Sequence, residues 1–275
     1  MAKYNYHTHS HYDDGKLAME DFVLAAIEEG FDALGFSGHS PLPLDNEWSI
    51  KAARLPEYVA EGKRLREQYR QQIRLYLGLE IDYIPGLSDD YSIFTRDIPL
   101  DYCIGSVHLV RHPQSGGIWF IDGPAEGYFK GVDEVFGGDP KKAVTAYYEQ
   151  SIEMVRTQKP DIVGHLDKVK MHNKEQLFGT TEPWYTELTD RLLEAVKGAG
   201  SIVELNTRGV YTGKTEAYFP SDDILKKCLQ LDIPVMVNSD AHHPSQLLSH
   251  VPGALARLRG LGFKEVRTPF DTYDL

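Results

Sequence analysis

The sequence has little in it that would staple, anchor or disorder the chain. Its 275 residues include only two cysteines, Cys103 and Cys228, with no CxxC pair and no basis for a disulfide framework. Both read as reduced, small buried residues of a cytoplasmic protein. The longest apolar runs, such as 233–237, are far too short to span a bilayer. Segment 1–7 lacks the apolar stretch of an export signal, so no export is expected. Basic residues are outnumbered: 29 Lys and Arg face 41 Asp and Glu, a formal charge of −12. Such a chain is a poor nonspecific partner for nucleic acid or anionic lipid. Bound cations would offset part of that charge, so small phosphate substrates stay open while a long DNA-binding groove does not.

Repeats, low-complexity tracts and Ser/Gly linkers are also missing. What the chain has is alternation. Strand-like runs fall at 3–7, 33–37, 75–82, 101–107, 161–164, 202–206 and 234–239, and helical patterns at 18–29, 56–71, 140–158, 184–199, 222–231 and 245–261. Pro140 and Pro183 suit helix starts, and Gly30, Gly200 and Gly262 suit helix ends. Strands separated by helices imply parallel βαβ units, and the apolar content of 41% is enough for a substantial core. The expectation is one α/β domain over 1–275, a closed or nearly closed barrel. The exception is 111–139, which reads as a long irregular stretch rich in glycine and carrying Trp119, Phe120, Tyr128, Phe129 and Phe136. A loop of that length suggests a lid or substrate loop.

The histidines carry the chemistry. Six of the 11 fall at or just past the end of an expected strand: His7, His9, His39, His108, His165 and His242. Three acids follow the same rule: Glu80, Asp240 and, five residues past His9, Asp14. Parallel barrels build their sites at that face. Side chains two apart on a strand share a face, so His7 and His9 can chelate one ion together. Imidazole and carboxylate suit zinc, iron or manganese, and a carboxylate such as Glu80 can bridge two ions. Nine candidate ligands are too many for one metal and suit two or three. The remaining histidines, His11, His112, His172, His243 and His250, read as surface residues, although His11 and His243 flank the motifs.

These motifs, His7-Thr8-His9 with Asp14, His39, Glu80, His108, His165 and Asp240-Ala241-His242, resemble the polymerase and histidinol phosphatase (PHP) family. Within it the chain is similar to the histidinol-phosphate phosphatases of histidine biosynthesis. That likeness rests on His39-Ser40-Pro41-Leu42-Pro43, 78–83, 105–108, Phe120-Ile121-Asp122 and Gly164-His165-Leu166-Asp167. The resemblance implies a distorted (β/α)7 barrel and a trinuclear site. His7, His9, Glu80 and Asp240 would hold one metal, and Glu80 would bridge to a second completed by His108 and His165. Asp14, His39 and His242 would hold the third. Asp13 adjoins Asp14, and the sequence does not separate the two.

Such metals would lower the pKa of a water and neutralise phosphoryl charge. The residues expected to serve the reaction are Asp240, His242 and Arg208, which lies just past the sixth strand and would grip phosphate by its planar fork. A metal-bound water and His242 both stay open as the acid for the leaving alcohol. The implied activity is hydrolysis of L-histidinol phosphate, a small phosphate ester, with no nucleic acid or membrane partner. The competing readings are a phosphoesterase or nuclease acting on another phosphate, and a non-catalytic, metal-binding regulatory protein.

Overall fold

The structure, a computed structural model, describes residues 3–275. Seven parallel strands form one sheet in strict chain order: Tyr4–Asn5, Ala33–Phe36, Arg74–Asp82, Tyr102–Ser106, Ile162–Val163, Ile202–Asn206 and Val235–Asn238. The order follows from the sequence. Each strand is nearly all buried, and the helical segment after it returns the chain to the start of the next parallel strand. The first and last strands meet just beyond their ends, where Thr8 and Ala241 form a parallel bridge. There His9 N–H donates to the Ala241 carbonyl at 2.9 Å and Ala241 N–H to that of His7 at 3.0 Å. The result is a nearly closed, distorted (β/α)7 barrel, sealed by the residues that carry the His-Thr-His and Asp-Ala-His motifs.

Five of the six expected helices are present with small shifts: Met19–Glu28, Leu55–Tyr69, Pro140–Gln158, Pro183–Ala199 and Asp222–Gln230. Asp139 caps the third of these by accepting from Lys142 N–H. The last differs. The helix expected over 245–261 is a short 3₁₀ turn, Pro244–Gln246, followed by an α-helix at Val251–Leu261. His250 between them is left-handed at φ 60° and ends any continuous helix.

The stretch 111–139 is not irregular. Leu109–Arg111 pairs antiparallel with Ile118–Phe120, and Ala125–Phe136 is a helix. The aromatics explain this, because Trp119, Tyr128 and Phe136 are buried against one another and Trp119 Nε1 donates to the Tyr128 carbonyl. A second unanticipated pair, Glu265–Arg267 with Thr272–Asp274, lies under the strand starts. Its turn residue Phe270 stacks on Tyr76 at 3.7 Å and packs near Tyr6, closing the barrel end opposite the histidines.

Tyr102 spans that end of the interior. Its hydroxyl lies 2.6 Å from the Tyr6 carbonyl and 3.0 Å from that of Phe36, tying the first two strands together. Tyr102→Phe leaves these buried acceptors without their donor. Urea unfolding should show a loss of about 1–3 kcal/mol; an unchanged midpoint would mean that water takes the hydroxyl's place.

Candidate metal centre

Backbone geometry at the strand ends aims the ligand candidates into one space. Thr8 turns outward and donates to the Gly35 carbonyl, so its neighbours His7 and His9 both turn inward. The chain then folds back on itself at Gly15. A Cβ there would come within 2.2 Å of the His9 carbonyl, so glycine is required. His165 and Asp240 sit at positive φ, 25° and 54°, a conformation costly for residues with a Cβ and concentrated at functional sites.

Glu80 is the hub. Its Oε2 lies 3.2 Å from His7 Nε2, 3.1 Å from His39 Nδ1 and 3.6 Å from His9 Nε2. Its Oε1 lies 2.9 Å from His165 Nε2 and 3.7 Å from His108 Nε2, and accepts from Ser106 Oγ at 2.6 Å. Asp240 Oδ1 is the second centre, 3.3 Å from His9 Nε2, 3.8 Å from His7 Nε2 and 3.4 Å from His242 Nδ1. Three groups have ligand atoms close enough to share an ion: His7, His9 and Asp240; His39, Glu80 and His108; and His9, Asp14, His39 and His242. His39 thus faces both the second and third positions. His165 adjoins the second, its Nε2 3.2 Å from that of His108.

The donor set fits divalent metals on a structural criterion. His7 Nε2, His9 Nε2, His39 Nδ1, Asp14 Oδ1 and Asp240 Oδ1 are buried without hydrogen-bond partners. Buried polar atoms are rarely left so, and these five converge. The opposite ring nitrogens explain why the free atoms point inward. His7 Nδ1 lies 2.6 Å from Glu204 Oε1, His9 Nδ1 2.6 Å from Asp13 Oδ2, and His108 Nδ1 2.9 Å from Asp82 Oδ1. A carboxylate behind each imidazole fixes the tautomer that leaves Nε2 as an electron-pair donor. The neighbouring acids 13 and 14 also separate here. Asp13 is taken up by His9 and by the backbone N–H of Ser10 and His39, whereas Asp14 Oδ1 faces His242 Nε2 at 3.1 Å.

Sequence reasoning held Asp13 only as an alternative to Asp14 and missed Glu204 and Asp82 as orienting acids. Asp82 had a usable signal, since it lies two residues beyond Glu80 on the same strand; Glu204 is likewise two before Asn206 on the sixth strand. The same reasoning named Arg208 but missed the two lysines that complete a cationic wall. Arg208 lines the cavity, but one edge of its guanidinium donates to the Asp240 carbonyl at 3.0 Å. Beside it stand Lys168 and Lys214, both paired with Asp122 at 2.8 and 3.2 Å. Burial weakens the Lys168 ammonium, but the Asp122 carboxylate more than restores it and raises its pKa. The cavity enclosed by these cations and the ligand cluster has a volume of about 170 Å³, room for a small ester rather than a polymer.

The charge set explains how the site would respond to pH. Burial disfavours protonated imidazole, yet Glu204, Asp240 and Glu80 around His7, and Asp13 and Asp240 around His9, raise both pKa values. Burial and the neighbouring His9 charge push His242 the other way, which suits a neutral ligand rather than an acid that gives up a proton near pH 7.

A barrel mouth carrying three such groups defines a metal-dependent barrel enzyme. A family model described as PHP domain matches residues 5–208, and the chain belongs to that family. The chain is 29% identical over 248 residues to the "Probable histidinol-phosphatase" of Deinococcus radiodurans, covering 90% of this chain and 88% of that one. It is 27% identical to the histidinol-phosphatase of Bacillus subtilis, over 82% and 87% of the two chains. The crystal structure of histidinol phosphate phosphatase from Lactococcus lactis, described as complexed with zinc, L-histidinol and phosphate, matches with a TM-score of 0.72. Their identity is 20%, over 99% of both chains, and this shows a shared fold.

Two measurements follow. Elemental analysis of protein purified without chelator should find two to three divalent ions per chain; a value clearly below one, with chelator-insensitive activity, contradicts the metal centre. Raised imidazole pKa values mean that the metal-free site holds protons at pH 7–8 that an ion must displace, so affinity should fall as pH falls. Calorimetric zinc titrations in buffers of different ionisation enthalpy should report proton release in that range, and buffer-independent heats would count against it.

Proposed function

We propose that the protein is a metal-dependent phosphomonoesterase that hydrolyses L-histidinol phosphate to L-histidinol and phosphate. The observation that carries this reading is the juxtaposition of the ligand cluster with Arg208, Lys168 and Lys214 across one small cavity. The histidinol-phosphatase names of the relatives and the ligands of the L. lactis structure supply the substrate. The nine candidate ligands, His7, His9, Asp14, His39, Glu80, His108, His165, Asp240 and His242, would hold two or three ions of zinc, iron or manganese. Such ions supply an activated water and neutralise charge on the phosphoryl oxygens.

The chain's own groups do the rest. Arg208 and Lys168 line the same cavity as the cluster and would stabilise charge that grows on the phosphoryl oxygens. Ser106, Glu204, Asp13 and Asp82 hold the ligands and so set where the phosphorus sits. Asp122 keeps Lys168 and Lys214 extended over the cavity, so 111–139 acts as the substrate loop of a single-domain chain. The size of the cavity and the charge of −12 disfavour a nuclease. The converging unpartnered ligand atoms beside a cationic wall disfavour a regulatory binding module. Among the described residues no helix is long and apolar enough to cross a membrane; a cytoplasmic enzyme of amino-acid biosynthesis is the proposed setting.

Phosphate release from a panel of histidinol phosphate, mononucleotides and a simple aryl phosphate tests the reading. kcat/KM for histidinol phosphate should lead the nucleotides by at least about 10²-fold, about 2.7 kcal/mol of transition-state discrimination. Equal or better nucleotide turnover would transfer the assignment to the other phosphoesterase class. Two variants separate the roles. Glu80→Gln should lose at least one metal and nearly all activity. Arg208→Ala should keep its metals and lose about 10²–10³-fold in kcat/KM, with Arg208→Lys recovering only part because an ammonium lacks the planar fork. Full metal content and turnover in Glu80→Gln, or normal turnover in Arg208→Ala, contradict the respective role.

A further inference from the structure

The cavity wall is almost entirely ionic, and two residues break the pattern. Trp48, from the segment after the second strand, and Phe120, from the pair after the fourth, both line it. Their rings are parallel within 9° with centroids 6.0 Å apart. Phe120 is 39% exposed, one of only five large hydrophobic side chains so open among the described residues. Strand alternation accounts for its direction: Trp119 points into the packed side of the hairpin, so Phe120 points to the opposite side. Trp48 is held in place as well. Asn46 Oδ1 accepts from the Trp48 and Ser49 N–H groups, and the indole stands edge-on to His39 at 5.2 Å and 82°.

Two parallel aromatic faces on the cavity wall beside His39, Phe120 exposed and Trp48 half-buried, are a poor use of apolar surface unless something covers them. The metals and cations take the phosphate, so the alcohol part of the ester must leave toward the rim, where these rings stand. In histidinol phosphate a short carbon arm joins the ester oxygen to an imidazole, a planar ring that is partly protonated near neutral pH. Such a ring gains from stacking and from cation–π attraction to an indole or phenyl face.

Resting on the function proposed above, we infer that Trp48 and Phe120 form the seat for the ring of the leaving alcohol. This pair, rather than the metal cluster, makes the site prefer esters with a planar heteroaromatic group. The two rings belong to separate segments, so a small relative displacement admits the ligand ring without disturbing the barrel.

The test uses the metal-loaded protein and its Trp48→Ala, Phe120→Ala and Phe120→Leu variants. The substrates are histidinol phosphate, phosphoethanolamine (an amine without a ring) and 2-phenylethyl phosphate (a ring without an amine). Phe120 is partly exposed and Trp48 half-buried, and metal analysis of each variant checks that the ligand cluster is intact. The expected result is that each alanine variant raises KM for the two ring esters by roughly tenfold. Phosphoethanolamine kcat/KM should stay within about twofold, and Phe120→Leu should resemble Phe120→Ala because bulk without a ring does not restore the seat. Equal losses on all three esters, no loss on any, or full activity of Phe120→Leu overturns the seat. Wild-type selectivity judges the underlying function separately. If histidinol phosphate is no better than phosphoethanolamine, the histidinol reading fails, and the 2-phenylethyl phosphate arm alone then decides the seat by the same criteria.

Discussion

A carboxylate taken out of water must be met by opposite charge or neutralised, because its desolvation costs several kcal/mol. Glu80 is 1% exposed at the middle of a barrel, and Asp240 is almost as deep. Burial alone would raise both pKa values, yet both are held well below the ordinary carboxylate range by the imidazoles around them. The whole mouth of the barrel follows from that constraint. Six histidines surround two buried anions, three further carboxylates stand behind the histidines, and backbone amides and asparagines satisfy those in turn: Asn238 and Asn206 donate to Glu204, and His165 N–H donates to it as well. Such a concentric arrangement of alternating charge leaves an inner space bordered by electron-pair donors. Divalent cations are the natural occupants, being the charges that the acidic interior lacks.

The barrel supplies what this arrangement needs. Closure through Thr8 and Ala241 brings the first and last motifs together, although 230 residues separate them in the chain. His165 and Asp240 hold positive φ within the site itself, and the Tyr-rich plug at the far end seals the core that over-determines them. Stability and function are thus segregated to opposite ends of one sheet.

Much of this was legible in the sequence because strand ends are legible. Alternating apolar runs located the seven strands, and a histidine or acid at the end of a parallel strand has only one face to point to. The orienting acids were harder. Glu204 and Asp82 serve by contact with rings 197 and 26 positions away, so even Asp82's place two residues beyond Glu80 does not say which ring it orients. Lys168, Lys214 and Asp122 are distributed over three connections that only the fold brings together. The substrate-loop segment illustrates the converse error. Its glycines and aromatics suggested an irregular lid or substrate loop, but tertiary packing turned Trp119 into the core of a small hairpin-helix unit and left its neighbour Phe120 at the cavity.

We propose that Glu80 and Asp240 are the centres of a multinuclear metal site. Anomalous diffraction at the zinc edge from zinc-loaded crystals tests it most directly. Two or three peaks within coordination distance of the nine ligand residues, at least one of them touching Glu80 and one touching Asp240, are the predicted result. Density showing no metal within reach of Glu80, with the imidazoles simply ion-paired to the two carboxylates, would contradict it.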